Sequence, residues 1–287
     1  MITGGIKFFK RSKALFLDGA SAIASSNSDV ANNILSSNKF IKWESFGSND
    51  MTTETIEITF DSATINRIFL IATNFKEFTV KYDVAGTPTD FTNVLSLDGE
   101  LIEIEETNYN KDTAYYEFDS VTTDKIYITI MQTQIADQEK SLERFYATEE
   151  IGTLTGYPIV AKEELDQNIN KQETLSGNMS IQKRIETFNA TLSFKNYTPN
   201  QNDYDIMNDI TISIEPFLVW LCGGKFGDNF RVARRNWLLK DVYNVQAISK
   251  LSFKWNKNIY LAGFSGNVKL TQSTEALWHN QGYNTKF

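Results

Sequence analysis

Apolar and polar side chains alternate along much of this chain, and a period of two is the mark of a half-buried β-strand. Ile56, Ile58 and Phe60 alternate with Glu57 and Thr59. Phe78, Val80 and Tyr82 alternate with Thr79 and Lys81, and Ile126, Ile128 and Ile130 with Tyr127 and Thr129. Each run turns one face to a core and the other to water. Ile68-Phe69-Leu70-Ile71 is apolar throughout, as expected of a strand covered on both faces. Turn chemistry separates the runs at Gly47-Ser48-Asn49-Asp50, Ala85-Gly86-Thr87-Pro88 and Asp98-Gly99. Short strands at this spacing predict a β-sandwich.

The second half repeats the pattern. Phe188, Ala190, Leu192 and Phe194 alternate, as do Leu251, Phe253 and Trp255. Glu215-Pro216 leads into the apolar run Phe217-Leu218-Val219-Trp220-Leu221-Cys222, which ends at Gly223-Gly224. Helix candidates are short, at residues 30–35 and 202–208. The expected fold class is therefore all-β.

The 287 residues suffice for two domains, and charge divides them. Residues 1–150 hold 13 Lys and Arg against 24 Asp and Glu, a balance of −11; residues 151–287 hold 15 against 12, a balance of +3. We place the boundary near Glu150, with Gly152, Gly156 and Pro158 marking a change of chain direction. The acidic half repels nucleic acid, so no nucleic-acid partner is expected. No apolar run approaches the ~18 residues of a membrane span, so no membrane insertion is expected. After Lys7, Lys10, Arg11 and Lys13 the apolar stretch lasts only from Ala14 to Leu17, too short for a secretion signal. The single cysteine, Cys222, can form no internal disulfide, which fits folding in a bacterial cytoplasm.

Catalytic signatures are sparse. His279 is the one histidine and could act as a base only if the C-terminal segment folded into a cleft; otherwise it is a solvated residue. Cys222 reads as a small buried hydrophobe rather than a reactive thiol. One His and one Cys cannot build a zinc shell, and no metal or cofactor is expected. Asp98, Glu100, Glu103, Glu105 and Glu106 interleave with Leu101, Ile102 and Ile104 and read as the solvated face of an edge strand. No enzymatic activity is expected.

Two resemblances refine this reading. Residues 15–148 resemble the discoidin, or coagulation-factor type C, family. The carriers are Ala20 with Ala22 and Ala24, Trp43-Glu44-Ser45, Thr55-Ile56-Glu57-Ile58-Thr59-Phe60 and Ile65-Asn66-Arg67-Ile68. Further on they are Phe78-Thr79-Val80-Lys81-Tyr82, Lys125-Ile126-Tyr127-Ile128-Thr129-Ile130 and the closing Leu142-Glu143-Arg144-Phe145-Tyr146-Ala147. The disulfide of secreted members is absent. The resemblance implies a galactose-binding-like jelly-roll β-sandwich over residues 1–150, often a sugar binder through the loops at one end. From about Glu150 onward the chain is similar in order to phage and prophage tail proteins. Here the carriers are Gly152, Pro158, Phe194-Lys195-Asn196-Tyr197, Pro216-Phe217-Leu218-Val219-Trp220 and Leu239-Lys240-Asp241-Val242-Tyr243. This implies a second, mainly β, ring-forming oligomerisation domain over residues 151–287. The whole would be a structural virion component of a phage-like or gene-transfer-agent tail tip or baseplate, with other tail proteins and copies of itself as partners.

Two residue sets follow. Trp43, Phe46 and Asn49 occupy the loop expected to meet a host-surface sugar, where aromatic rings stack on pyranose faces; the competing reading sets Trp43 in the core. Arg231, Arg234, Arg235 and Trp237 form a basic, aromatic segment expected at a subunit interface, against the acidic half of a neighbour.

Overall fold

The computed structural model describes residues 5–36, 41–154, 159–173, 179–197, 201–212, 215–222, 243–247, 252–256 and 263–272. Arg231, Arg234, Arg235, Trp237 and His279 lie outside them. In chain order the described strands are β1 (Gly5–Phe9), β2 (Ser21–Ala24), β3 (Trp43–Glu44), β4 (Glu54–Ile71), β5 (Phe75–Val84), β6 (Thr87–Asp90) and β7 (Val94–Ser96). They continue with β8 (Glu100–Leu101), β9 (Glu105–Glu106), β10 (Thr113–Thr133), β11 (Ser141–Leu142), β12 (Arg144–Thr148) and β13 (Glu150–Leu154). The last are β14 (Ile159–Glu173), β15 (Met179–Tyr197), β16 (Phe217–Cys222), β17 (Tyr243–Ala247), β18 (Ser252–Asn256) and β19 (Gly263–Gln272). The protein is mainly β, with antiparallel pairing throughout the described ladders.

The chain divides into two compact units. The first is built on Phe9–Glu150; the second gathers Gly5–Phe8 with Ile151–Leu221 and the strands from Tyr243 onward. The first unit's sequence thus interrupts the second's, which charge and composition alone did not reveal.

In the first unit two long strands, β4 and β10, pair along their length and fold over as they do so. Glu54 to Thr59 of β4 pairs with Ile130 to Lys125 of β10, and Ile65 to Ile71 with Val121 to Thr113; the register slips between Glu117 and Val121 and between Thr123 and Lys125. Such slips bend strands. They convert one ladder into two layers: β2, the first half of β4, the second half of β10, β5 and β6 on one side, and β12, the second half of β4, the first half of β10 and β7 on the other. The alternating side chains meet in a single core that joins Ile56, Ile58 and Phe60 to Ile65, Ile68 and Leu70. Within a layer the core rows run across strands: Ile56 opposes Ile128, which opposes Val80; Ile58 opposes Ile126, which opposes Tyr82. Cross-strand pairs of β-branched and aromatic side chains are the stabilising unit of such a sheet.

The continuous apolar run 68–71 is covered on both faces, as its sequence predicts. Ile68 and Leu70 face the core, while Phe69 packs on Phe9 (ring centroids 5.1 Å apart) and Tyr115 (4.6 Å) on the other side. The turn between β5 and β6 is a two-residue hairpin: Ala85 and Gly86 both take positive φ (51° and 86°), and the Gly86 N–H donates to Asp83 Oδ2 at 2.7 Å. The predicted helix at 30–35 is a 3-10 helix spanning Ser28–Leu35, with Ala31, Ile34 and Leu35 buried.

The expected edge strand at 98–106 is instead broken. β8 pairs with β7 and β9 with β5, so the segment passes from one partner to another, leaving Ile104 buried and Ile102 93% exposed. Changing partners breaks the alternation that one continuous strand would have kept.

The second unit is an eight-stranded sheet in the order β13-β1-β16-β17-β19-β15-β14, with β18 on β19. One helix, α1 (Gln201–Ile212), covers part of it and buries Ile206, Met207 and Ile210, the three-to-four spacing of an amphipathic helix. Gly152 lies inside strand β13, not at a turn. A Cβ built there would stand 2.3 Å from Ile206 Cδ1 and 2.5 Å from Cγ1. The glycine therefore serves close packing of helix on strand. Gly152→Ala is expected to cost about 1–3 kcal/mol by overpacking, read as a lower urea midpoint, and Gly152→Ala with Ile206→Val should recover part of it.

Candidate functional site

The loop between β3 and β4, residues 45–53, stands at one end of the first unit beside the loop between β10 and β11. Short pairing of β3 with β11, Trp43 opposite Leu142 and Glu44 opposite Ser141, ties the roots of the two loops together. Beyond that pairing the Ser45 N–H donates to the Lys140 carbonyl at 2.8 Å, and side chains add further contacts. Glu139 reaches across: its carboxylate accepts from Ser45 Oγ (2.6 Å), the Gly47 N–H (2.9 Å) and the Ser48 N–H (3.1 Å). Gly47 takes φ of 70°, which presents its N–H to that carboxylate. Asp50 reaches the other way and accepts from the Thr133 N–H and Thr133 Oγ1, both at 3.0 Å. Asn49 closes a local turn, its Oδ1 accepting from the Met51 N–H (2.9 Å) and Thr52 Oγ1 (3.2 Å).

These bonds shift both carboxyls. The Thr133 N–H holds Asp50 below its usual 3.8, and the Ser45 hydroxyl, with the Ser48 and Gly47 N–H groups, holds Glu139 below its usual 4.5. A carboxyl whose folded pKa is depressed contributes stability above its unfolded pKa and loses it as pH falls through the folded value. The clamp should therefore hold from neutral pH down to the ordinary carboxylate range and loosen only below it. Amide exchange at Gly47 and Ser48, corrected for intrinsic rate, should stay flat from pH 7 to about pH 5 and accelerate beneath pH 4.

On this clamped frame three large apolar side chains face water: Phe46 is 83% exposed, Met51 94% and Ile135 64%. Asn49 is exposed between the first two. An ordered loop that presents apolar side chains loses little entropy when it meets a partner.

Trp43 does not belong to this surface. It is 0% exposed, packs in the core, and donates its indole N–H to the Ser26 carbonyl at 3.1 Å. A ring with no free face cannot stack on a sugar, so of the two readings of Trp43 the core one holds and Trp43 leaves the expected sugar-facing set: it supports the loop from beneath, and Phe46 and Asn49 remain at its surface. Met51 and Ile135 were missed because single exposed hydrophobics carry no sequence pattern. Cys222 ends strand β16. Among the described residues no group of three or more His, Cys, Asp or Glu could hold a metal ion.

No protein-family model matches the chain, and no curated protein matches it. Solved structures do resemble half of it. Chitosan-binding module 1 from a chitosanase/glucanase of Paenibacillus sp. IK-5 is 19% identical, with a TM-score of 0.38 over 48% of this chain and 98% of that one. Module 2 of the same enzyme, in complex with chitotriose, is 15% identical, with a TM-score of 0.36 over 47% of this chain and 97% of that one. CpGH89CBM32-5 from Clostridium perfringens, in complex with GalNAc-β-1,3-galactose, is 13% identical, with a TM-score of 0.37 over 48% of this chain and 99% of that one. At these values the ligand of this chain has to be argued from its own residues.

Proposed function

We propose that this is a non-catalytic binding protein whose first unit meets carbohydrate through the loop carrying Phe46, Asn49 and Met51. The observation that carries the reading is the exposure of Phe46 on a backbone fixed by Glu139. An aromatic face supplies stacking area for a sugar ring, and an exposed amide such as Asn49 supplies hydrogen bonds to hydroxyls. A glycan array with the full chain tests it: binding to at least one glycan class, lost in Phe46→Ala, is the expected result. Silence across neutral, acidic and amino-sugar polymers would overturn it.

A second reading, a structural part of a phage-like tail, draws support from the second unit. Its edge strand β14 offers fifteen residues, and the outer half of its hairpin with β15, from Ile169 paired to Lys183 outward, joins no other strand among the described residues. Long open edges invite pairing with another chain. In that reading the protein forms a ring with its own copies, and the sugar-binding unit contacts the host. Sedimentation velocity of the full chain addresses it: a closed oligomer at micromolar concentration is expected, and a monomer at all concentrations would count against it.

A further inference from the structure

We propose that Lys140 is the positioning residue of the ligand-facing loop, its ammonium holding Phe46 and Met51 in the arrangement in which they meet a ligand. The inference rests on the binding reading above and adds what keeps the surface in place. Lys140 is 0% exposed. Its Nζ donates to Ser48 Oγ at 2.9 Å and to the Asn49 carbonyl at 2.7 Å, on either side of the turn's centre. Its backbone grips the root of the same loop: the Lys140 N–H donates to Ser45 Oγ and the Lys140 carbonyl accepts from the Ser45 N–H, both at 2.8 Å. One residue thus holds Ser45, Ser48 and Asn49.

A buried ammonium is costly unless it is hydrogen-bonded and faced by opposite charge. Here the carboxylates facing it are Glu54, Asp50 and Glu139, the last two being the clamp residues themselves. Glu54 is in turn held by the Ser25 hydroxyl. Remove the charge and the Asn49 carbonyl loses its donor, while three carboxylates lose the cation between them. An apolar side chain of similar length would fill the same space at less desolvation cost, so the charge here acts on the loop and not merely on packing. Burial also pushes the ammonium's pKa below its usual 10.5.

The test needs no glycan, so its failure is distinct from failure of the binding reading. In the full chain, Lys140→Met should raise amide exchange at Gly47, Ser48 and Met51 by about tenfold or more, with β4 and β10 unchanged. Unaltered exchange in residues 45–52 would overturn the proposal. Should Lys140→Met unfold the first unit, Ser48→Ala decides. It keeps the charge and removes one acceptor, and a local rise of about threefold is expected where no rise would refute the idea. A purely space-filling lysine is separated by titration. The Ser48 and Asn49 amide shifts of the wild-type chain should inflect at alkaline pH, below the ordinary lysine range, and the inflection should be missing in Lys140→Met. A wild-type chain without that inflection contradicts the assignment.

Discussion

Trp43→Ala should destabilise the first unit by about 3–5 kcal/mol, the range for truncating a large buried aromatic ring. Three losses add. The indole leaves a cavity among the core residues it now contacts. The Ser26 carbonyl loses the donor that stands at 3.1 Å. The pairing of β3 with β11, which starts from Trp43 opposite Leu142, loses its anchor. Urea denaturation followed by circular dichroism should show a transition at clearly lower urea. A shift of less than about 1 kcal/mol, the scale of an ordinary substitution, would mean that the ring is not a core element. Any loss of ligand in this variant should follow its unfolding curve.

Phe46→Ala together with Met51→Ala should behave in the opposite way. Both side chains are more than four-fifths exposed, so stability should change by no more than about 0.5 kcal/mol. Affinity for a glycan selected on the array should fall by about 30-fold or more, equivalent to the ~2 kcal/mol that marks an interface hot spot. Titration calorimetry beside thermal denaturation gives both quantities. The contrast between the two variants matters more than either alone, because it separates the residue that supports the loop from the residues that use it.

The sequence carries the fold unevenly, for physical reasons. Alternation at Ile56, Ile58 and Phe60 is a local property, and it predicts both a strand and its buried face. The double coverage of residues 68–71 is legible for the same reason. The short helix expected at 202–208 is present but longer, Gln201–Ile212, and its buried face carries Ile206, Met207 and Ile210. What fails is what depends on distant residues. Nothing near Phe46 announces that Glu139 and Lys140, more than ninety positions away, hold its loop. Trp43 illustrates the same limit, since an aromatic beside a turn has one sequence signature whether its ring is buried or offered. Gly152 is misread as a turn because a glycine needed for close approach looks the same as one needed for positive φ. The return of Gly5–Phe8 to the second unit's sheet is likewise invisible, because pairing partners are not written into a five-residue strand.

If the clamped loop is the ligand-binding surface, a bound glycan must perturb its amides and leave those of the core in place. The most direct measurement is a two-dimensional amide spectrum of the isotopically labelled full chain during titration with a glycan selected on the array. Shift changes should concentrate at Phe46 to Met51 and around Ile135, with the two-layer core of β4 and β10 unmoved. A glycan that binds while its shift changes gather elsewhere, leaving the amides of Phe46, Gly47, Asn49 and Met51 in place, would contradict it.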